Sequence, residues 1–169
     1  MTSRLLVDKI EGKTTANTIE MPEGSVIQVV NGNYTAVTSS SVTSSSFTEV
    51  NTGIRTSITP KFSNSKIFII CNMGLRLYNN GGADANGRYR LYDVTGGAAV
   101  SGTESALRHY DYGNSGHYSA HSVPFNILMD SWGTTAKTFN YQLKLTTGTG
   151  IGMNDDAFST SMTLMEIAQ

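Results

Sequence analysis

The chain has 169 residues, of which 12 are Lys or Arg and 13 are Asp or Glu, for a net charge of −1. That balance leaves no basic stripe to neutralise phosphates, so nucleic acid is excluded as a partner, and the single cysteine excludes a disulfide framework within one chain. Ser and Thr supply about a quarter of the residues and charged side chains only 15%, against about 25% in an average domain; the polar surface is built from hydroxyls and amides that cost little entropy to order.

Residues 1–24 read as an arm. Leu5–Val7 is far too short for a signal peptide or a membrane span, so folding in a cytoplasm and no membrane insertion are expected. Arg4–Ile10 forms a short strand with Leu6, Asp8 and Ile10 on one face and Leu5, Val7 and Lys9 on the other. Apolar residues on both faces of so short a piece are hard to bury locally. Leu5, Leu6, Val7 and Ile10 are therefore expected to attach to another chain or to a larger assembly.

Beyond the arm, no window of 11 or more residues shows a clean 3.6-residue apolar period. Short alternating bursts separated by Gly, Asn, Asp, Ser and Thr indicate strands. Ser25–Val30 is the first strong strand. Thr35–Thr48 reads either as a linker, for its two Ser triplets, or as a twisted edge strand, for Val37, Val42 and Phe47. Arg55–Thr59 is a strand with Ile54, Thr56 and Ile58 on one face. Ser65–Leu77, the longest apolar run, is a central strand that carries Cys71 as a small buried hydrophobe. Asn79-Asn80-Gly81-Gly82 is a turn. Arg88–Val94 alternates, turns at Thr95-Gly96-Gly97 and returns over Ala98–Val100 as a hairpin.

Residues 103–122 are the least regular. Val123–Met129 is a strand that Pro124 places at an edge. Thr138–Leu145 puts Phe139, Tyr141, Leu143 and Leu145 inward and Asn140, Gln142 and Lys144 outward. Gly148–Gly152 is a turn. Ser159–Ala168 is the last strand, with Met162 and Leu164 on one face and Met165 and Ile167 on the other, which makes it either central in its sheet or an oligomer interface. About eight strands over residues 25–169 predict an all-β, antiparallel, jelly-roll-like sandwich, with a homotrimer as its assembly.

Little in the chain suggests chemistry. His109, His117 and His121 fall within thirteen positions around Asp111, but their spacing matches no standard metal site. They read as a polar loop, with a histidine ring on a trimer axis as the alternative. Asp84-Ala85-Asn86-Gly87 and Asn154-Asp155-Asp156 offer oxygen ligands without enough carboxylates for calcium. Gly148–Gly152 opens no helix and so is no phosphate loop. Gly113-Asn114-Ser115-Gly116 lacks placeable triad partners. No catalytic residue, metal or cofactor is assigned. The segment Arg108–His121 instead has the composition of a binding loop, in which Tyr gives contact area and Ser, Gly and Asn adapt. His109, Tyr110, Tyr112, Asn114, His117, Tyr118 and His121 are the receptor-contact candidates.

The ends of the chain carry a resemblance. Ser3-Arg4-Leu5-Leu6-Val7-Asp8-Lys9-Ile10-Glu11-Gly12-Lys13-Thr14 is similar to the start of virion structural proteins of marine phages, notably cyanophages. In that group a segment like Met21-Pro22-Glu23-Gly24-Ser25-Val26-Ile27-Gln28-Val29-Val30 often follows. The close, Thr163-Leu164-Met165-Glu166-Ile167-Ala168, and the middle part from Ser57-Ile58-Thr59-Pro60 to Ser65-Lys66-Ile67 also look like the group. The matched pieces cover about a third of the chain. The resemblance implies a common attachment arm carrying a diversified β-head, located in the virion. Its members are tail-fibre-like or head-decorating. Expected partners are other virion proteins and a host-surface polysaccharide or protein. As a fibre the head loops face the host; as a capsid decoration the arm and head base grip the shell.

Overall fold

Period-2 burial sets the architecture. In the run from Ile67 to Leu77 every odd position is buried and the even ones between them, Gly74 excepted, look outward, as a pleated strand requires. The computed structural model describes residues 21–35, 40–81, 84–110, 117–153 and 159–169. It contains β1 (Val26–Tyr34), β2 (Ser40–Val42), β3 (Thr48–Glu49), a 3-10 turn (Thr52–Ile54), β4 (Thr56–Ile58), β5 (Lys66–Asn79) and β6 (Ala85–Asp93). Then follow β7 (Ala98–Ala99), β8 (Ser105–His109), β9 (His117–Met129), β10 (Lys137–Thr147), β11 (Gly150–Met153) and β12 (Thr160–Ile167).

All named strand pairs are antiparallel. Several short strands are halves of one interrupted strand. β1 lies along β12 and β2 along β11, while β12 and β11 pair with successive parts of β5. β4 and β3 follow one side of β10, and β7 and β8 follow one side of β6. The first sheet is therefore β1/β2, β12/β11, β5, β9, and the second is β4/β3, β10, β6, β7/β8. Four strand positions in each sheet, with the chain crossing repeatedly between sheets, is the double-sheet arrangement of a jelly roll.

Between the sheets, Leu91, Phe139, Tyr141 and Leu143 of the second meet Ile67, Ile69, Met73, Leu75, Leu77, Met162 and Leu164 of the first, all essentially without exposure. Pro124 sits on β9, which among the described residues has no neighbour beyond it, so its missing N–H leaves no ladder bond unmade. Trp132 caps one end of the core. Its ring meets Phe139 edge-on at 5.9 Å, and its Nε1 donates to the Thr135 carbonyl at 2.9 Å.

The structure corrects several expectations. Residues 103–122 are more regular than their composition suggests: β8 and the first part of β9 fill much of the stretch. Both are outer strands, where polar side chains are tolerated and alternation fades. The turn expected over Gly148–Gly152 shrinks to residues 148–149, because Gly150 already begins β11. A Cβ on Gly150 would run into the Tyr78 ring, so this glycine answers a close approach rather than a turn. Asn140 and Gln142 face outward, yet both are buried. The Asn140 amide donates to Glu49 Oε1 and, at 2.9 Å, to the Asn51 carbonyl, while Arg90 donates to Gln142 Oε1 at 2.6 and 2.9 Å.

Finally, β12 is central, between β1 and β5. Met162 and Leu164, expected at an oligomer interface, are enclosed in the chain's own core and cannot reach a partner. Met165 and Ile167 remain half-buried on the outer face.

Candidate recognition site

The connectors segregate to two ends of the sandwich. At the end where β5 begins lie residues 21–25, 59–65, 94–97, 130–136 and 168–169. The chain enters here, held by hydrogen bonds from Gly24 N–H to Ala168 O and from Ala168 N–H to Ser25 O, both 2.9 Å. At the opposite end lie residues 43–47, 80–81, 84, 110 and 148–149. The 14 residues of β5 separate the two by about 45 Å.

At this second end the register of the second sheet assembles a cleft. Ala85 pairs with His109 and Asn86 with Arg108 on one side, while Thr147 pairs with Asn86 on the other. Asp84, Asn86, Arg108, His109, Tyr110 and Thr147 line an open depression of about 360 Å³. Tyr110 is 58% exposed. The Asn86 Oδ1 is buried and accepts no hydrogen bond. A guanidinium, a carboxylate, a hydroxyl and an orphan amide oxygen beside an accessible phenol ring suit a polyhydroxyl ligand. Its hydroxyls donate to oxygens and accept from N–H groups, while its C–H face lies against the ring.

The receptor-contact candidates divide. His109 and Tyr110 line the cleft. His121 is exposed on β9, opposite Leu75 in the first sheet. His117 pairs with Asn79 and Tyr118 with Tyr78 at the start of β9, but their side chains lie outside the described residues, as do Tyr112 and Asn114. So does Asn154-Asp155-Asp156. His109 thus belongs to one sheet and His117 and His121 to the other. Among the described residues no three His, Cys, Asp or Glu side chains group closely enough to hold a metal ion. Asp84 and Asn86, read from sequence as oxygen ligands too poor in carboxylates for calcium, line a shared cleft with Arg108. The arm residues Leu5, Leu6, Val7 and Ile10 also lie outside the described residues.

Cys71 is buried in β5, and burial pushes its thiol up to about 12. The thiolate is the reactive form, so Cys71 is expected to resist iodoacetamide at pH 8 in the native protein and to react fully in denaturant. Mass spectrometry of the two samples checks this.

No family model matches the chain, and no curated protein matches it. Among solved structures it is similar to Eiger TNF from S. frugiperda, at 6% identity over 83% of this chain and 92% of that one, with a TM-score of 0.45. It is also similar to a chain of the infectious bursal disease virus Gx strain, at 13% identity and a TM-score of 0.40, covering 97% of this chain and 36% of that one. A third likeness is to the tripod from the baseplate of bacteriophage Tuc2009, at 11% identity and a TM-score of 0.33, covering 100% and 84%.

Proposed function

We propose that the chain is a non-enzymatic structural protein of a phage particle, an adhesin-type module that its N-terminal arm fixes to the particle and whose far end contacts a host-surface polysaccharide. The observation that carries this reading is polarity. The chain enters at one end of the jelly roll, and the cleft with Arg108, His109 and Tyr110 opens at the other. A module tethered at one end presents the opposite end outward. The resemblance of both chain ends to phage virion proteins supports the particle, and double-sheet jelly rolls recur in viral shells and in lectins. A homotrimer presents three clefts side by side, so that weak sites add up to firm attachment.

The test joins copy number to adhesion. Counted against the major shell protein in purified particles, the chain is expected at a few tens of copies or fewer. A Tyr110→Ala variant is expected to fold normally, since the ring is 58% exposed, and to bind host cells at least about tenfold more weakly, equivalent to about 1.4 kcal/mol. Hundreds of copies per particle with unchanged cell binding would replace this reading by a shell decoration.

A further inference from the structure

The two outer faces of the sandwich differ in kind. That of the second sheet is laced with polar pairs: Arg55 grips Glu49 at 2.6 and 2.7 Å, Arg90 grips Gln142, and Arg88 donates to Glu104 at 2.7 Å. The outer face of the first sheet, near the chain-entry end, is apolar. Register aligns Val29, Met165, Phe68 and Leu128 in one row across all four strands. Val26 and Ile167 lie beside Lys66 in the row below, and Ile70 lies in the row above between Thr163 and Asn126, which bound the patch. Val26, Val29, Ile70 and Leu128 are 50, 55, 40 and 54% exposed. Among the described residues the other large hydrophobics this exposed are only Met21 and Tyr110. Contiguous exposed apolar surface of this kind marks an interaction site.

We infer that this face is covered by residues 4–10 of a neighbouring copy of the same chain. Where the described chain begins argues for that occupant. Met21 stands beside Ala168 and Gln169, and Val26 enters the sheet opposite Ile167 in the lowest apolar row. Twenty residues precede Met21. Of these, residues 11–20 reach at most about 35 Å, enough to carry the segment onto an adjoining molecule. Seven extended residues span about 23 Å, more than the width of four strands at about 4.8 Å spacing. The segment offers Leu5 and Val7 on one face and Leu6 and Ile10 on the other. Laid on its own sheet it would bury one set and leave the other in water; held between two copies it buries both. An arm-to-face contact is heterologous, joining unlike surfaces, and closes into a ring when the rotation allows, which is the geometry of a trimer.

The inference rests on reading residues 1–24 as an association arm, gives residues 4–10 to the neighbouring copy so that attachment to the particle falls to the assembled ring, and does not involve the cleft. Full-length protein carrying Leu6→Cys with Leu128→Cys, mildly oxidised and run on a non-reducing gel, is expected to give covalent dimers and trimers, because Cys71 is buried and does not compete. Light scattering of full-length Val29→Asp and of Leu6→Asp/Val7→Asp is expected to find both monomeric. A cross-link only within one chain overturns the neighbouring-copy assignment. Assembly that survives Leu6→Asp/Val7→Asp but fails in Val29→Asp overturns the arm as occupant, in favour of another copy's apolar face. Assembly that survives both overturns the site. Each failure leaves the Tyr110 adhesion result untouched, and a failed adhesion result leaves the cross-link intact.

Discussion

A Glu166→Ala variant is expected to lose about 3 kcal/mol of stability at pH 7, much of it recovered by no rearrangement of its neighbours. Glu166 lies on the core side of β12 with no exposed surface. One carboxylate oxygen accepts from the Lys61 and Phe62 backbone N–H groups at 2.8 and 3.0 Å. The other accepts from Gln28 Nε2 at 2.6 Å, and that same amide donates to the Thr59 carbonyl at 2.7 Å. One side chain therefore ties β1, β12 and the connector after β4 together. Charge-assisted hydrogen bonds contribute about 1.5–3 kcal/mol each, and their removal strands buried donors. Burial pushes the carboxyl pKa up, but the donors from Lys61, Phe62 and Gln28 outweigh it and hold it below the ordinary value. The sign follows from linkage: with the folded-state pKa depressed, this stabilisation is full above the unfolded-state value near 4.5 and is lost as pH falls through the folded-state value. Urea unfolding followed by Trp132 fluorescence should show a wide gap between wild type and Glu166→Ala at pH 7 that narrows in acid. A gap that stays constant down to pH 3 would mean that the ionised carboxylate is not what holds this end together.

The sequence discloses the strands whose burial is one-sided or complete. Thr138–Leu145 shows its inward set plainly because Phe139, Tyr141, Leu143 and Leu145 are large and alternate with polar residues. Ser65–Leu77 is equally clear because a central strand in a closed core is apolar almost throughout. Pro124 correctly marks an edge. Where alternation and solvent part company, legibility ends. Asn140 and Gln142 are polar on an outward face, and the partners that meet them there are distant in sequence: Glu49 and Asn51 for the first, Arg90 for the second. Glu166 shares its side with Met162 and Leu164 by period, but nothing local says that two backbone N–H groups about 105 residues away await it. The cleft is legible by half. Tyr110 and His109 stand out by composition, whereas their meeting with Asp84 and Asn86 depends on the register of β6 against β8, which follows from the whole sheet rather than from any short window.

The other large effect is expected at Tyr141, where alanine should cost about 4 kcal/mol, a substantial part of the 5–15 kcal/mol typical of a domain. Tyr141 projects from β10 into the centre of the sandwich with no exposed surface. Its ring meets Phe125 of the opposite sheet edge-on at 6.4 Å. Its hydroxyl crosses the core to donate to the Ser161 carbonyl on β12 at 2.8 Å, and burial holds that hydroxyl protonated well above the usual phenol range. Alanine removes the ring, leaves a cavity between two stiff sheets that cannot close on it, and removes the hydrogen bond to the Ser161 carbonyl. Phenylalanine removes only the hydrogen bond and should cost about 1 kcal/mol. Comparison of Tyr141→Ala with Tyr141→Phe in urea unfolding separates packing from the polar link. Equal losses would assign the effect to the cross-sheet hydrogen bond. Cys71 gives an independent readout: the thiol lies against Tyr141, so the cavity should open it to iodoacetamide in Tyr141→Ala under native conditions, while Tyr141→Phe keeps it closed.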